Sequence, residues 1–248
     1  MFIQIFLLFF LLFLLFLLSR KIASYIFKIV YLLTGWRKFA IAILSVIILP
    51  GTLIHEFSHL VFAALLRVHT GTLTVFPTIG KNGEVTTGKL EIVKPDPFRH
   101  ILIGLAPMIT GLSIIYATGK FLLPSFSQLT TQNLLALPIE KQLAIILSLY
   151  LFFTTSITMF SSRKDLESLI IAGPILFLIG LSLYLVGVRI VFEESLIKKI
   201  TDILSEQNYY LLIATILDYL IFVVLGLFVN AIQKIFKKKI SFQLATRQ

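Results

Sequence analysis

Long uncharged apolar runs separated by short polar or basic stretches set the pattern of this chain. Phe2–Leu18 is almost pure Leu, Phe and Ile, and Phe39–Leu66 is apolar except for one polar cluster near its end. Further apolar runs cover about Ile101–Thr118, Gln142–Ser162, Ser168–Val188 and Tyr209–Ala231. A helix needs about 20 such residues to cross a bilayer core. The pattern therefore predicts an all-α multi-pass membrane protein with about six transmembrane helices. Phe121–Ile139 is also uncharged, but Pro124 and Pro138 break it and Ser, Thr, Gln and Asn dilute it. It reads as an interfacial or re-entrant segment. Pro50-Gly51 is expected to kink the second span one turn before its polar cluster, because proline removes a backbone donor and crowds the preceding turn.

Residues Arg67–Arg99 break this pattern. Thr70–Pro77 and Gly83–Val93 are rich in Thr and Val and alternate in polarity, with Ile79-Gly-Lys-Asn-Gly83 between them. Such alternation around a glycine-bearing turn predicts a small β-hairpin insertion after the second span. An exposed edge strand there could pair with an extended peptide. The chain then divides into an N-terminal transmembrane anchor and basic loop (1–38), a core (39–167), and C-terminal transmembrane helices with a basic tail (168–248). Phe2–Leu18 has no basic segment before it and no small-residue cleavage site after it, so an uncleaved anchor is expected.

Composition agrees with the pattern. The 248 residues are 58% hydrophobic and only 14% charged, against about 25% charged in soluble domains. An integral, multi-pass protein, expected in the cell membrane, follows. The absence of cysteine removes disulfides, thiolate metal sites and cysteine nucleophiles. With four histidines in all, a histidine-rich di-iron oxygenase would lack ligands. The net charge of +10 comes from residues flanking apolar runs, chiefly Arg20, Lys21, Lys28, Arg37 and Lys38 early and Lys234, Lys237, Lys238 and Lys239 late. Clusters so placed hold helix ends at anionic lipid, so the bilayer is the expected partner and nucleic acid is not. If five spans separate the two clusters, they fall on opposite faces, against the positive-inside tendency.

Chemistry concentrates in His55-Glu56-Phe57-Ser58-His59, an H-E-x-x-H motif within the apolar run Phe39–Leu66. On a helix the two imidazoles lie about 40° apart around the axis and roughly 6 Å apart along it. That spacing lets both reach one Zn²⁺, with Glu56 beside the first to take a proton from the attacking water. Polar groups at such depth in lipid are costly without partners, which favours metal over chance. His69 and His100 stand at span ends and read as interfacial residues. A catalytic zinc usually has three protein ligands. Asp165 is the favoured third ligand, because it ends a span that runs parallel to the HEFSH span and lies at similar depth. Asp218, in the middle of its own span, is the rival, and a helix-packing hydrogen bond is its plainer role. Glu167 reads as a solvated helix-end charge.

These features resemble the site-2 protease family of intramembrane zinc metalloproteases. The resemblance rests on the membrane-embedded HEFSH, the β-like stretch after it, Arg99-His100-Ile-Leu-Ile-Gly104-Leu-Ala-Pro107 and the run Thr158–Glu167 containing Asp165. It spans roughly Pro50–Glu167 and implies one Zn²⁺ per chain held by His55, His59 and Asp165. It also implies Glu56 as catalytic acid/base and a membrane-protein or peptide substrate. The chain departs from the family at Ile157 and Leu166, where the family usually carries asparagine and glycine. A silent relative that binds a client helix without cutting is one alternative. An ion- or solute-transporting bundle is another, although no repeated halves are visible.

Overall fold

The computed structural model describes residues 1–74, 78–79, 85–86, 89–92, 96–127, 137–160, 173–175, 178–187 and 193–236. Helices dominate them: α1 (Phe2–Thr34), α2 (Arg37–Leu65), α3 (Pro97–Ser127), α4 (Ile139–Thr158) and α5 (Glu194–Phe236). These five are long and apolar enough to cross a membrane, against the six or so expected. The stretch read as a span at Ser168–Val188 contributes only a shorter apolar helix, Gly173–Leu185, and part of it lies outside the described residues.

Short strands follow α2: β1 (Thr70–Thr74), β2 (Thr78–Ile79), β3 (Val85–Thr86) and β4 (Lys89–Ile92). β1 pairs antiparallel with β4 and β2 with β3, with a register irregularity between Thr70 and Leu73. Most of the Ile79–Gly83 turn, and other parts of the expected hairpin, lie outside the described residues.

Local chemistry sets the helix ends. Gly35 closes α1 at φ 71°, a left-handed conformation that glycine adopts without a Cβ penalty, and its N–H donates to Tyr31 O at 2.8 Å. Only Gly35 and Trp36 then separate α1 from α2, so the two pack antiparallel through Ile22, Ile26 and Phe27 against Ala40, Ile41, Leu44 and Ile48. Asp96 caps α3, its carboxylate accepting the Arg99 N–H at 3.0 Å, and Pro97 takes the first helical position, where no N–H is needed.

Helices already in lipid gain little from apolar burial against each other, so close approach and interhelical hydrogen bonds decide their association. α2 lies against α4 at Gly51, where a Cβ would collide with the Thr154 carbonyl and the Thr158 hydroxyl. One turn earlier, the Tyr150 hydroxyl of α4 lies 2.8 Å from Ile47 O and 3.2 Å from Val46 O. α2 is one unbroken helix through Pro50. Proline has no N–H for the carbonyl four residues back, here Val46, and the tyrosine reaches that gap. At the other end of the bundle Asn208 Nδ2 donates to both Gln4 O and Gln4 Oε1 at 2.8 Å. Tyr116 OH donates to Glu206 Oε2, and Lys120 Nζ stands 3.7 Å from Glu206 Oε1.

These contacts fix helix directions. Gln4 meets Asn208 and Tyr25 stacks on Phe222 at 5.3 Å, so α1 and α5 run parallel. Val46 and Ile47 meet Tyr150 while Gly51 meets Thr154 and Thr158, so α2 and α4 run parallel to each other and opposite to α1. The end of α1 and the end of α5 therefore share one end of the bundle. Lys28, Arg37 and Lys38 converge there with Lys234, and the expectation that the two basic clusters fall on opposite faces gives way. The reason lies in the contacts that set α1 and α5 parallel.

The chain has no cysteine, so single-cysteine probes report this topology directly. Trp36→Cys and Ile235→Cys should react with an impermeant maleimide from one face of sealed vesicles, and His69→Cys from the other. Labelling of positions 36 and 235 from opposite faces would refute the parallel arrangement of α1 and α5.

Candidate metal centre

α2 carries the HEFSH motif in its last turns, with Pro50 and Gly51 one turn ahead of it. Helical spacing places His55 and His59 on one face, and their ring centroids are 4.9 Å apart with the planes at 84°. His55 is 3% exposed and Glu56 6%, while His59 is half-buried. The flanking hydroxyls are used locally: Thr52 donates to Ile48 O at 3.1 Å and Ser58 to His55 O at 2.6 Å. They add no competing donors around the two rings.

One long-range contact orients the pair. His59 Nδ1 lies 2.9 Å from the Ile103 carbonyl oxygen of α3. A carbonyl oxygen only accepts, so Nδ1 carries the proton in this bond. Metal-binding histidines are commonly held this way, with the second ring nitrogen donating to a carbonyl or carboxylate. The donor set fits zinc: two imidazoles at right angles within reach of one centre, one with its tautomer set, and a buried carboxyl on the next residue.

The other site residues expected from sequence separate here. Asp165, Leu166 and Glu167 lie outside the described residues. Among the described residues, no group of three or more His, Cys, Asp or Glu is placed to hold a metal ion, so Asp218 is not brought to the histidine pair. His69 and His100 are exposed, as interfacial residues would be. Ile157, where the family resemblance places asparagine, is 7% exposed and belongs to the apolar cluster with Ile41, Leu44 and Ile48.

Asp218 sits in α5 at 0% exposure. The Ser156 hydroxyl of α4 faces it, which is the kind of helix-packing partner expected from sequence. That hydroxyl also lies 2.7 Å from Phe153 O, so its one proton has two acceptors within reach. Sequence reasoning missed the role of Ile103, because a backbone carbonyl leaves no trace in side-chain type. It also missed the Tyr116–Glu206–Lys120 cluster, whose members lie far apart along the chain.

No family model, no curated protein and no solved structure matches this chain.

A buried carboxylate with only one shared donor is costly, whereas an amide of the same shape carries no charge and brings its own donors. Asp218→Asn should therefore unfold at a temperature no lower than wild type in detergent, with a gain of about 1 kcal/mol or more where the carboxylate is ionised. A clear loss of stability would show that the carboxylate has a partner.

Proposed function

We propose that this chain is an intramembrane zinc metalloprotease of the site-2 type, hydrolysing peptide bonds in or near transmembrane segments. The observation that supports the reading is the right-angled His55–His59 pair on one helix face, with His59 Nδ1 bonded to Ile103 O. His55 and His59 would hold one Zn²⁺ per chain, with Asp165 as the third ligand. Bound zinc would lower the pKa of a coordinated water to about 7 and polarise the scissile carbonyl.

The chain's own residues do the rest. Glu56, next to His55 and 6% exposed, takes a proton from the attacking water. It returns that proton to the amine nitrogen as the C–N bond breaks, leaving a carboxylate and an amine. Burial of Glu56 keeps bulk water from competing for this transfer. The substrate must unwind locally, because a helix hides its carbonyls in intrahelical bonds. The proposed β-hairpin insertion after α2 offers an edge for the extended strand so produced.

A second reading, a silent relative that binds a client helix, is favoured by one observation. Ile157 is packed into apolar core and supplies no polar group for holding a substrate strand.

Metal content and cleavage separate these readings. Purified wild type should carry close to one zinc by elemental mass spectrometry, and His59→Ala and Asp165→Ala should lose it. Glu56→Gln should keep the zinc and lose cleavage of a genuine substrate by a factor on the order of 10² to 10⁴. Zinc without cleavage in wild type would favour the silent relative. A wild type that binds none after zinc is supplied would end the metalloprotease reading.

A further inference from the structure

We infer that Pro107 is a positioning residue for His59: lacking an amide N–H, it leaves the Ile103 carbonyl to accept the imidazole proton and so sets the ring's tautomer. An α-helix pairs each N–H with the carbonyl four residues back, and the residue four after Ile103 is Pro107. α3 runs unbroken from Pro97 to Ser127, so every neighbouring geometry is helical while that one bond is missing. The proline ring also crowds the carbonyl it fails to satisfy and pushes it off the helix axis. Ile103 is 3% exposed and Pro107 is buried, so water does not replace the lost donor. A buried orphan carbonyl costs about 1–3 kcal/mol. His59 Nδ1, 2.9 Å away on α2, removes that cost.

A related arrangement stands at the other proline within a span. Pro50 of α2 leaves Val46 O without its helical donor, and the Tyr150 hydroxyl of α4 lies 3.2 Å from it. In each case a proline within a span opens one carbonyl and a polar side chain of the neighbouring helix reaches it, although Tyr150 lies nearer the adjacent Ile47 O, at 2.8 Å. At Val46 the result is helix packing. At Ile103 it also decides which histidine nitrogen carries the proton. Unrestrained neutral histidine prefers the proton on Nε2, the nitrogen needed for metal, so the orphan carbonyl reverses the intrinsic preference.

The tautomer part of this inference is independent of zinc, and the affinity part rests on the metalloprotease reading. The test uses the full chain in nanodiscs, ¹⁵N-labelled at histidine, zinc-free and well above the ordinary histidine pKa of about 6.5. The ¹⁵N spectrum of wild type should show His59 protonated at Nδ1, the signal being assigned by its loss in His59→Ala. Pro107→Ala restores an N–H that competes for Ile103 O, and should move His59 to a mixed or Nε2-protonated state while His55, His69 and His100 stay as they were. Replacing residue 107 by lactic acid, an ester with neither ring nor N–H, should return the wild-type spectrum. An unchanged His59 in Pro107→Ala would overturn the inference, as would an ester variant that behaves like the alanine variant.

Zinc affinity, measured separately, should fall about 10- to 100-fold in Pro107→Ala. A tautomer switch in a protein that never binds zinc would leave Pro107 as the positioning residue and remove the metal reading. Zinc binding with no tautomer switch would do the reverse.

Discussion

Lipid offers no hydrogen bonds, so a backbone group left open inside a span must be answered from within the protein. The architecture near HEFSH depends on that constraint. Two prolines open carbonyls in adjacent helices, and the side chains that close them, Tyr150 and His59, join α4 to α2 and α2 to α3. Most other hydroxyls in the spans turn back on their own helix: Ser45 to Ile41 O, Thr118 to Ile114 O, Thr154 to Tyr150 O, Thr215 to Leu211 O. Polar side chains that reach across helices are correspondingly few, and those few carry the registration of the bundle.

Close packing supplies the rest. Gly51 brings α2 onto the Thr154–Thr158 face of α4 one turn before His55, and Gly119 lets α3 approach the Tyr210 ring of α5. Tyr116, Lys120 and Glu206 then tie those two helices together, Lys120 lying 5.3 Å over the Tyr116 ring. HEFSH is thereby held on a helix fixed along one side by backbone-to-backbone contact with α4. It is fixed on the other by its own histidine. Precision at a pair of facing side chains needs such support more than it needs strong individual bonds.

Much of this was legible in the sequence, for identifiable reasons. Apolar runs of bilayer length report helices directly, and H-E-x-x-H reports a shared face because its period is helical. Ser168–Val188 lies partly outside the described residues, so its full length is not compared. The placement of the basic clusters follows from helix directions, which depend on contacts between residues far apart along the chain. Asp218 looked like a rival ligand because depth is readable from sequence while the azimuth between distant helices is not. Ile103 was out of reach as an acceptor, although the proline four residues later was in plain view.

The parallel course of α1 and α5 makes the molecule electrically lopsided. Lys28, Arg37, Lys38 and Lys234 gather at one end, while the early turns of α5 toward the other mix Glu194, Asp202 and Glu206 with Lys198 and Lys199. A membrane at rest carries a voltage, and each unit charge carried across it is worth about 2.3 kcal/mol per 100 mV. The four cations together feel on the order of 9 kcal/mol at that voltage, all acting in the same sense. A voltage across the bilayer would therefore act on the four cations together, favouring the orientation that sets the basic end on the negative side.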